Sequence, residues 1–374
     1  MLDGMKAKAR LLLGLLDGEI ARGGPLYVNV DATHRCNLRC SYCRWHSPLL
    51  KETLLDRTAR KDIAPAIFDG LCADLAALGT QKVQFVGAGE PMLHPAFFDL
   101  VRSTKRHGLQ MVVCTNGTRL ARDGARKLVD SGIDLLRISL ADPTADAYAA
   151  RHPYLGRSAF DDLVQGVTEL SQERNARGSR TPVLELSVPI DRDNMSQLDD
   201  MVKLARATGI DRIHFSVVFD FNQKELTSFM LDDGEVCRAR EHLRQVRPVI
   251  EASGLRHNID DVLLRYQTQR KVLAKVPCYS AWFYSMVDTD GRVRVCQRTK
   301  VVMGDLGRES FREIWNGPAY RGFRGANRGG NADLGPDYDC DFCPHLVNNH
   351  RVHTRFRWLA FMPSGVSWLR RVRS

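Results

Sequence analysis

Short apolar runs alternate with helical patterns through the first two thirds of the chain, and this alternation constrains the fold most strongly. Runs of four to six mainly apolar residues suit strands, and a short run such as residues 83–86 (VQFV) suits a strand that is covered on both faces. Strand–helix units in series predict an α/β fold with a parallel sheet, either an open doubly wound sheet or a barrel. Six runs are predicted as strands, at residues 26–30, 83–86, 111–114, 135–140, 183–188 and 213–218.

The pattern changes twice along the chain, and we expect five parts. A leading helix occupies residues 1–25, the alternating region residues 26–224, and a helical linker residues 225–277. Residues 278–343 hold cysteines, glycines and a predicted hairpin, because Asp290 and Gly291 lie in a turn between two apolar runs. Residues 344–374 form a basic, aromatic tail.

Three cysteines lie within eight residues directly after the first predicted strand, at Cys36, Cys40 and Cys43. Thiolates at this spacing can surround one metal centre from a single loop. A zinc site needs a fourth ligand, which His34 or His46 could supply. An iron–sulfur cubane held by three cysteines instead leaves one iron open to a ligand.

Four further cysteines, at Cys278, Cys296, Cys340 and Cys343, follow in the C-terminal third. The pattern ends in C-x2-C, and the spacing alone suits tetrahedral zinc as well as an iron–sulfur cluster. Ten cysteines in 374 residues are too few for a disulfide scaffold.

The N-terminal motif resembles the signature of the radical S-adenosylmethionine (SAM) superfamily, C-x3-C-x2-C with an aromatic residue before the third cysteine. Later segments match the family in order: residues 87–91 (GAGEP), 115–117 (TNG), 137–140 and 185–188. The resemblance implies a partial (β/α)6 TIM-like barrel and a SAM-binding cluster held by Cys36, Cys40 and Cys43. In the family, the glycine–glutamate loop binds the amino group of SAM. The SAM contacts implied are Tyr42, Gly87, Ala88, Gly89, Glu90, Thr115, Asn116, Ser139 and Ser187.

The C-terminal region is similar to the SPASM/twitch accessory region of these enzymes, on residues 286–296, 304–306 and 311–315. Its four cysteines match the shortened twitch form, with one auxiliary 4Fe–4S cluster, and their spacing is similar to that of the butirosin-pathway aminocyclitol dehydrogenase. The resemblance implies two 4Fe–4S clusters, SAM, and an external one-electron reductant such as flavodoxin or ferredoxin. Four cysteines saturate the auxiliary cluster, which suits electron transfer rather than substrate binding.

The resemblance implies that a deoxyadenosyl radical removes hydrogen from the substrate. Only 35 residues precede Cys36, too few for a peptide-recognition domain. We therefore expect a sugar- or aminocyclitol-like small molecule, oxidised at an alcohol with the auxiliary cluster as electron acceptor. His214, on the sixth strand, is the candidate substrate contact. The alternatives are an epimerase with Cys237 as hydrogen donor, a peptide-modifying maturase, and a zinc-stabilised binding protein without enzymatic activity.

The net charge of +10 is concentrated in the tail, where six arginines and no acidic residue follow Cys343. Arginines interleaved with aromatic and apolar residues suit a membrane surface or a segment packed across the barrel. We expect no nucleic-acid partner, because the rest of the chain is nearly balanced in charge. No run reaches the roughly 20 apolar residues of a membrane span. We therefore expect a cytoplasmic protein, with peripheral membrane attachment through the tail as the alternative.

Overall fold

The computed structural model describes residues 5–52, 55, 61–218, 224–273, 276–327, 337–338, 340 and 343–356. Ten strands form one sheet, in the order β10-β9-β8-β1-β2-β3-β4-β5-β6-β7. Neighbouring strands from β8 through β1 to β7 run parallel, and the β8–β9 and β9–β10 pairs are antiparallel. The strands are β1 Tyr27–Val30, β2 Lys82–Phe85, β3 Gln110–Thr115, β4 Leu135–Ser139, β5 Val183–Ile190, β6 Arg212–Val217, β7 Arg256–His257, β8 Tyr284–Val287, β9 Arg292–Arg294 and β10 Gly304–Asp305.

Helices follow most of the parallel strands and cover the outer face of the sheet. They are α1 Met5–Asp17, α2 Pro65–Leu78, α3 Phe97–Arg106, α4 Leu120–Asp123, α5 Ala125–Asp130, α6 Ala145–Arg151, α7 Ser158–Ala176, α8 Leu198–Ala207, α9 Asp233–Ala252, α10 Ile259–Leu273, α11 Ser280–Phe283, α12 Phe311–Trp315, α13 Pro318–Ala326 and α14 Leu346–Phe356. Two 3₁₀ turns lie at Pro91–Leu93 and Lys224–Phe229. The predicted α/β barrel architecture is confirmed.

Strand β5 shows how the sequence divides the two faces of the sheet. Leu184, Leu186 and Val188 are buried in the main hydrophobic core on the helix side. Because side chains alternate along a strand, Glu185 and Ser187 point to the barrel interior. The carboxyl ends of the parallel strands therefore bring polar side chains together at one mouth of the barrel.

Strand β8 joins the cysteine-rich region to the barrel sheet, which the sequence analysis treated as separate parts. It pairs in parallel with β1, so that Val30 lies opposite Val287. The backbone N–H of Asp31 extends this ladder by donating to the carbonyl of Val287, at 2.9 Å. The predicted hairpin is present, because β8 and β9 pair antiparallel around residues 288–291.

The predicted helical linker contains the long helices α9 and α10, and also the two-residue strand β7, which is too short to show a sequence period. Helix α14, at the start of the basic tail, packs on α10, and Arg351 pairs with Asp261 at 2.6 Å. This contact supports the packed alternative for the first part of the tail. The rest of the tail, residues 357–374, lies outside the described residues. Among the helices that the structure describes, none has the length and apolar character of a membrane span.

Candidate active site at the barrel mouth

The loop that carries the first three cysteines follows β1 directly; we call residues 31–50 the cluster loop. Cys36, Cys40 and Cys43 are partly buried in it, and the backbone N–H of Cys43 donates to the carbonyl of Cys40 at 3.0 Å. Burial, together with the nearby charges of Glu90 and Cys43, raises the pKa of the Cys36 thiol to about 11. The Cys43 sulfur accepts a backbone hydrogen bond from Trp45 at 3.4 Å. Such bonds stabilise the thiolate ligands of an iron–sulfur cluster.

Neither proposed zinc-ligating histidine is directed to the cysteines. His46 Nε2 lies 2.7 Å from the carbonyl oxygen of Ala88, and His34 Nε2 lies 3.3 Å from Thr289 Oγ1. In the part of the chain that the structure describes, no three His, Cys, Asp or Glu side chains converge closely enough to hold a single metal ion. A cubane spreads its ligands around a larger volume than one ion does. The loop therefore fits a cluster better than it fits zinc.

The glycine loop, residues 86–91, packs against the cluster loop at backbone distance. A Cβ atom at Gly87, where φ is 147°, would lie 1.1 Å from Asp31 Oδ1. A Cβ atom at Gly89 would lie 2.2 Å from the carbonyl oxygen of Thr33. Only glycine permits this approach. Backbone hydrogen bonding from Glu90 N–H to the carbonyl of Arg35, at 2.7 Å, fixes the two loops together.

Glu90 is engaged inside the protein, which changes the role expected for its side chain. Its Oε1 accepts hydrogen bonds from Thr115 Oγ1 at 2.8 Å and from the Met92 N–H at 3.0 Å. Its Oε2 accepts one from the Asn116 N–H at 2.6 Å. The side chain is only 2% exposed, and burial raises its pKa to about 7. The Glu90 side chain therefore braces the glycine loop. Contact of this loop with the amino group of SAM remains a prediction.

The turn at residues 115–118 closes on the cluster loop from the other side. Asn116 Nδ2 donates to Asn37 Oδ1 at 3.0 Å, and Asn37 Nδ2 donates to Thr118 Oγ1 at 2.8 Å. The side chain of Asn116 also hydrogen-bonds the Cys36 sulfur and lowers its pKa, against the larger effect of burial. Asn37 was not selected by sequence reasoning, although its position next to Cys36 is a signal that could have found it.

Behind the cluster loop lies a buried ionic group that the sequence analysis missed. Arg151 donates to Asp142 at 2.9 Å and to Asp191 at 2.5 Å, and all three side chains are almost wholly buried. The Arg151 guanidinium lies 5.0 Å from the centre of the Tyr42 ring, and the Arg151 carbonyl accepts from the Ser41 N–H. These contacts hold the second half of the cysteine motif in place.

The four C-terminal cysteines line one cavity. Cys296 accepts a hydrogen bond from the Arg298 N–H at 3.2 Å, and Cys343 lies 3.7 Å from Asn349 Nδ2. Burial, together with the charge of Cys278, raises the pKa of Cys343 to about 12. Buried thiols that share a cavity and accept amide hydrogen bonds fit an iron–sulfur cluster. The walls are Cys278, Ser280, Val295, Cys296, Arg298, Phe323, Tyr338, Cys340, Cys343, Pro344 and His345.

A second cavity, of about 310 Å³, lies at the barrel mouth between the two cysteine sets. Arg44 and Trp45, on one wall, follow Cys43 directly, and Gln297, on another, follows Cys296. The remaining lining residues are Asp31, His34, Leu55, Val86, Gly87, Met286, Asp288, Thr289, Asp290, Arg292 and Arg294.

Two protein-family models match the chain across these features. The model of the radical SAM superfamily matches residues 30–205, and the SPASM model, an iron–sulfur cluster-binding domain, matches residues 278–344. The chain belongs to the radical SAM superfamily. Its cofactors are SAM and 4Fe–4S clusters, as the sequence resemblance implied.

Curated relatives differ in how much of this radical SAM protein they cover. The chain is 26% identical over 208 residues to the tungsten-containing aldehyde ferredoxin oxidoreductase cofactor-modifying protein of Pyrococcus furiosus, and spans 55% of the length of that protein. It is 27% identical over 314 residues to a PqqA peptide cyclase of Gluconobacter oxydans, covering 81% of this chain and 80% of the relative. A PqqA peptide cyclase of Streptomyces rochei is 26% identical over 353 residues, or 92% of this chain and 88% of the relative.

Solved structures share the fold at low sequence identity. SuiB of Streptococcus suis bound to SAM superimposes with a TM-score of 0.65 at 14% identity, covering 85% of this chain and 72% of SuiB. The anSMEcpe protein with bound SAM superimposes with a TM-score of 0.59 at 15% identity, covering 90% of this chain and 98% of its own. At these identities the likeness establishes the barrel fold alone.

Within the radical SAM barrel, the predicted contacts on β4 to β6 lie side by side. Ser139 is paired in register with Ser187, and Ser187 with His214. Arg137 forms an ion pair with the buried Glu185 beneath the two serines. Burial and the Arg137 charge lower the pKa of His214 to about 4, so its imidazole is neutral at pH 7. SAM contact by the serines and substrate contact by His214 remain predictions.

Cys237 is not placed with the other site residues. It is exposed on α9, whereas Ala239, Leu243 and Val246 form the buried face of that helix. It is not among the residues that line the barrel-mouth cavity. A hydrogen donor must reach the substrate radical, so this position argues against the proposed donor role.

Proposed function

We propose that this chain is a peptide-modifying radical SAM enzyme, the alternative that the sequence analysis ranked below sugar oxidation. One observation carries the proposal: similarity to a PqqA peptide cyclase extends over 92% of this chain, and therefore over most of both the barrel and the cysteine-rich region. The structural neighbour SuiB, which shares the fold, is also known bound to a precursor peptide. The expectation of a small-molecule substrate, drawn from the short segment before Cys36, finds no support in these relatives.

The chain's residues divide the work between holding the cofactors and positioning the substrate. Cys36, Cys40 and Cys43 would hold the SAM-binding cluster, and the four C-terminal cysteines would hold the auxiliary cluster. When bound, SAM and its cluster supply the radical that removes hydrogen from an unactivated carbon, and the protein supplies orientation and exclusion of side reactions.

The cavity at the barrel mouth is suited to receive part of a peptide. It offers carboxyl, guanidinium and apolar surfaces within one space, including Asp288, Arg294, Trp45 and Met286. Peptide groups need both donors and acceptors, and the ion pair between Asp288 and Arg294, at 2.7 Å, provides both. Its position between the two cysteine sets would place the reacting residue between the two clusters.

The proposal is tested on anaerobically reconstituted protein with SAM and a chemical reductant. Short peptides encoded beside the gene are added, and mass spectrometry follows both deoxyadenosine and the peptide. We expect SAM-dependent loss of hydrogen from one peptide, mapped to a single residue or cross-link. Cys40→Ala is the control, because it removes a ligand of the SAM-binding cluster and should abolish both products.

Oxidation of a sugar or aminocyclitol alcohol is the second candidate, because a cluster saturated by four cysteines suits electron acceptance. The same reaction mixture, supplied with aminocyclitols in place of peptides, separates the two. A new ketone together with unmodified peptides would replace the first proposal by the second.

A further inference from the structure

Two aspartates, Asp31 and Asp288, meet on the wall of the barrel-mouth cavity. Asp31 follows the last residue of β1, and Asp288 follows the last residue of β8. The two strands pair in register up to Val30 and Val287, and the Asp31 N–H still donates to the carbonyl of Val287. Paired residues on adjacent strands project their side chains to the same face about 5 Å apart. The two carboxyl groups therefore face the cavity as neighbours.

The side chain of Asp31 is fixed in position by burial and by a backbone hydrogen bond. Its side chain is 5% exposed, and its Oδ1 accepts a hydrogen bond from the Ala88 N–H at 3.0 Å. The carboxyl group occupies the space that any side chain at residue 87 would need. Among the described residues, no hydrogen bond to Asp31 Oδ2 is formed, so this oxygen is available to a ligand in the cavity.

Asp288 is neutralised by a neighbour and Asp31 is not. Arg294 donates to Asp288 Oδ2 at 2.7 Å and to the carbonyl of Thr299 at 3.0 Å. Burial also raises the pKa of Asp288, and the charge of Arg294 opposes that rise. Two adjacent carboxylates cannot both ionise cheaply in a buried site, so the ion pair with Arg294 favours the charge on Asp288 and the proton on Asp31. The titratable and charged groups around Asp31 are Asp288, Arg294, Arg44, Tyr284 and, around the same cavity, His34, Asp290 and Arg292.

Burial raises the pKa of Asp31 to about 8, and the charge of Asp288 contributes to the rise, while Arg294 and Arg44 oppose it. A base is most effective when its proton affinity is close to the working pH. An ordinary aspartate has a pKa of about 3.9 and would be a weak base at neutral pH.

We propose that Asp31 is the general base of this site and that Asp288, held by Arg294, is the positioning residue that sets its basicity. In the step assigned here, a nitrogen, oxygen or sulfur of the substrate residue loses its proton to Asp31 Oδ2. The X–H bond breaks, an O–H bond forms, and the electron pair stays on the substrate atom. The assignment rests on the proposed function, because it requires a substrate in this cavity.

The first test separates proton removal from radical formation. Asp31→Asn keeps the acceptor for the Ala88 N–H but removes the base. We expect peptide modification to fall at least about 100-fold while deoxyadenosine formation stays within about threefold of the wild type. Asp260→Asn, an exposed aspartate on α10, is the matched control and should keep both rates.

The second test uses pH. Because the ionised form of Asp31 is the base, the rate of peptide modification should rise with pH through about 8 and then level off. Asp288→Asn removes a neighbouring negative charge, which should lower the pKa of Asp31 and move this limb to lower pH. Two results would overturn the assignment. One is a rise of the rate at the same pH in Asp288→Asn as in the wild type, and the other is peptide modification by Asp31→Asn at the wild-type rate.

The third test needs no peptide. Infrared spectra of the reconstituted protein, labelled with ¹³C-aspartate, should show a protonated carboxyl band at pH 7 that is absent in Asp31→Asn. If SAM is cleaved but no peptide is modified, the proposed function fails, and the infrared band still decides whether Asp31 holds the proton. If the band is unchanged in Asp31→Asn, Asp31 does not hold the proton at pH 7, and the assignment of Asp31 as the base is refuted.

Discussion

At the scale of single residues, two buried charged side chains of the site, Glu90 and Arg151, hold loops in place through their hydrogen bonds. The two carboxylate oxygens of Glu90 accept three hydrogen bonds, from residues 92, 115 and 116. Arg151 joins two aspartates behind the cysteine motif. In both cases a buried charged side chain fixes the backbone of the loops at the barrel mouth through its hydrogen bonds.

Glu90→Gln tests the bracing role. The amide keeps the shape but turns one acceptor into a donor, which leaves either the Asn116 N–H or the Thr115 hydroxyl without a partner. We expect a loss of about 1–3 kcal/mol in the free energy of unfolding, together with weaker SAM binding. Denaturant unfolding and anaerobic calorimetry measure the two effects. Weaker SAM binding without any loss of stability would instead indicate a direct contact of the Glu90 side chain with SAM.

His214→Gln tests the neutral imidazole inside the barrel. The pKa of His214 is about 4 in the folded protein, against about 6.5 in an unfolded chain, so the unfolded state binds the proton more tightly. Stability should therefore be intact above pH 6.5 and fall as the pH drops towards 4, by about 2–3 kcal/mol in total from this residue. Urea unfolding at pH 7 and pH 5 should show a smaller loss in His214→Gln than in the wild type. Equal losses would place the histidine in contact with water.

At the scale of elements, the glycine loop and β1 form one unit. The carboxyl group of Asp31 fills the position above Gly87, and the carbonyl of Thr33 faces Gly89. The loop after β2 therefore cannot adopt its shape unless the segment after β1 is in place. Two segments about 55 residues apart in the chain therefore form one edge of the barrel mouth.

Gly87→Ala tests that unit. The added methyl group would overlap Asp31 in a backbone conformation that side chains rarely adopt, so we expect a destabilisation above about 3 kcal/mol and a disrupted cluster loop. Gly70→Ala is the control, because Gly70 lies within α2 with nothing within 4 Å of its Cβ position. There the change should stabilise the protein by up to about 1 kcal/mol. Thermal unfolding compares the two; similar effects would contradict the predicted overlap.

The elements themselves were largely predictable from the sequence, and their long-range partners were not. The six parallel strands carry clear apolar runs, and the hairpin of β8 and β9 has a local turn signal. The pairing of β8 with β1 has no such signal, because it joins segments more than 250 residues apart. The same limit applies to Arg151, Asp142 and Asp191 and to the meeting of Asp31 with Asp288. Cys237 is the converse case: its residue type suggested a role as hydrogen donor, but its exposed position on α9 could not be predicted from the sequence.

At the scale of the whole molecule, the auxiliary cysteines and the barrel belong to one sheet. Strand β8 pairs with β9 on one side and with β1 on the other, so we expect loss of order around Cys296, just after β9, to disturb the barrel. The chain is thus expected to respond to cluster loss as one cooperative structure rather than as two independent domains.

Cluster removal tests this cooperation. The wild type should hold about eight irons per chain, and Cys40→Ala and Cys296→Ala should each hold about four. Cys296→Ala should also lower the unfolding temperature of the whole protein, because its cluster supports β8, whereas Cys40→Ala should lower it less. Iron analysis and calorimetry measure both quantities. A separate low-temperature transition in Cys296→Ala, with the barrel transition unmoved, would show two independent units.

The place of β8 beside β1 also has a consequence for how the protein is made. A ribosome releases β1 among the first segments of the barrel, but the strand that covers its second edge emerges only about 250 residues later. Throughout that interval the nascent barrel presents a row of unpaired backbone groups, the kind of edge that recruits foreign strands. Chains cut short before residue 284 would keep that edge permanently, so truncated forms should aggregate unless a chaperone shields them.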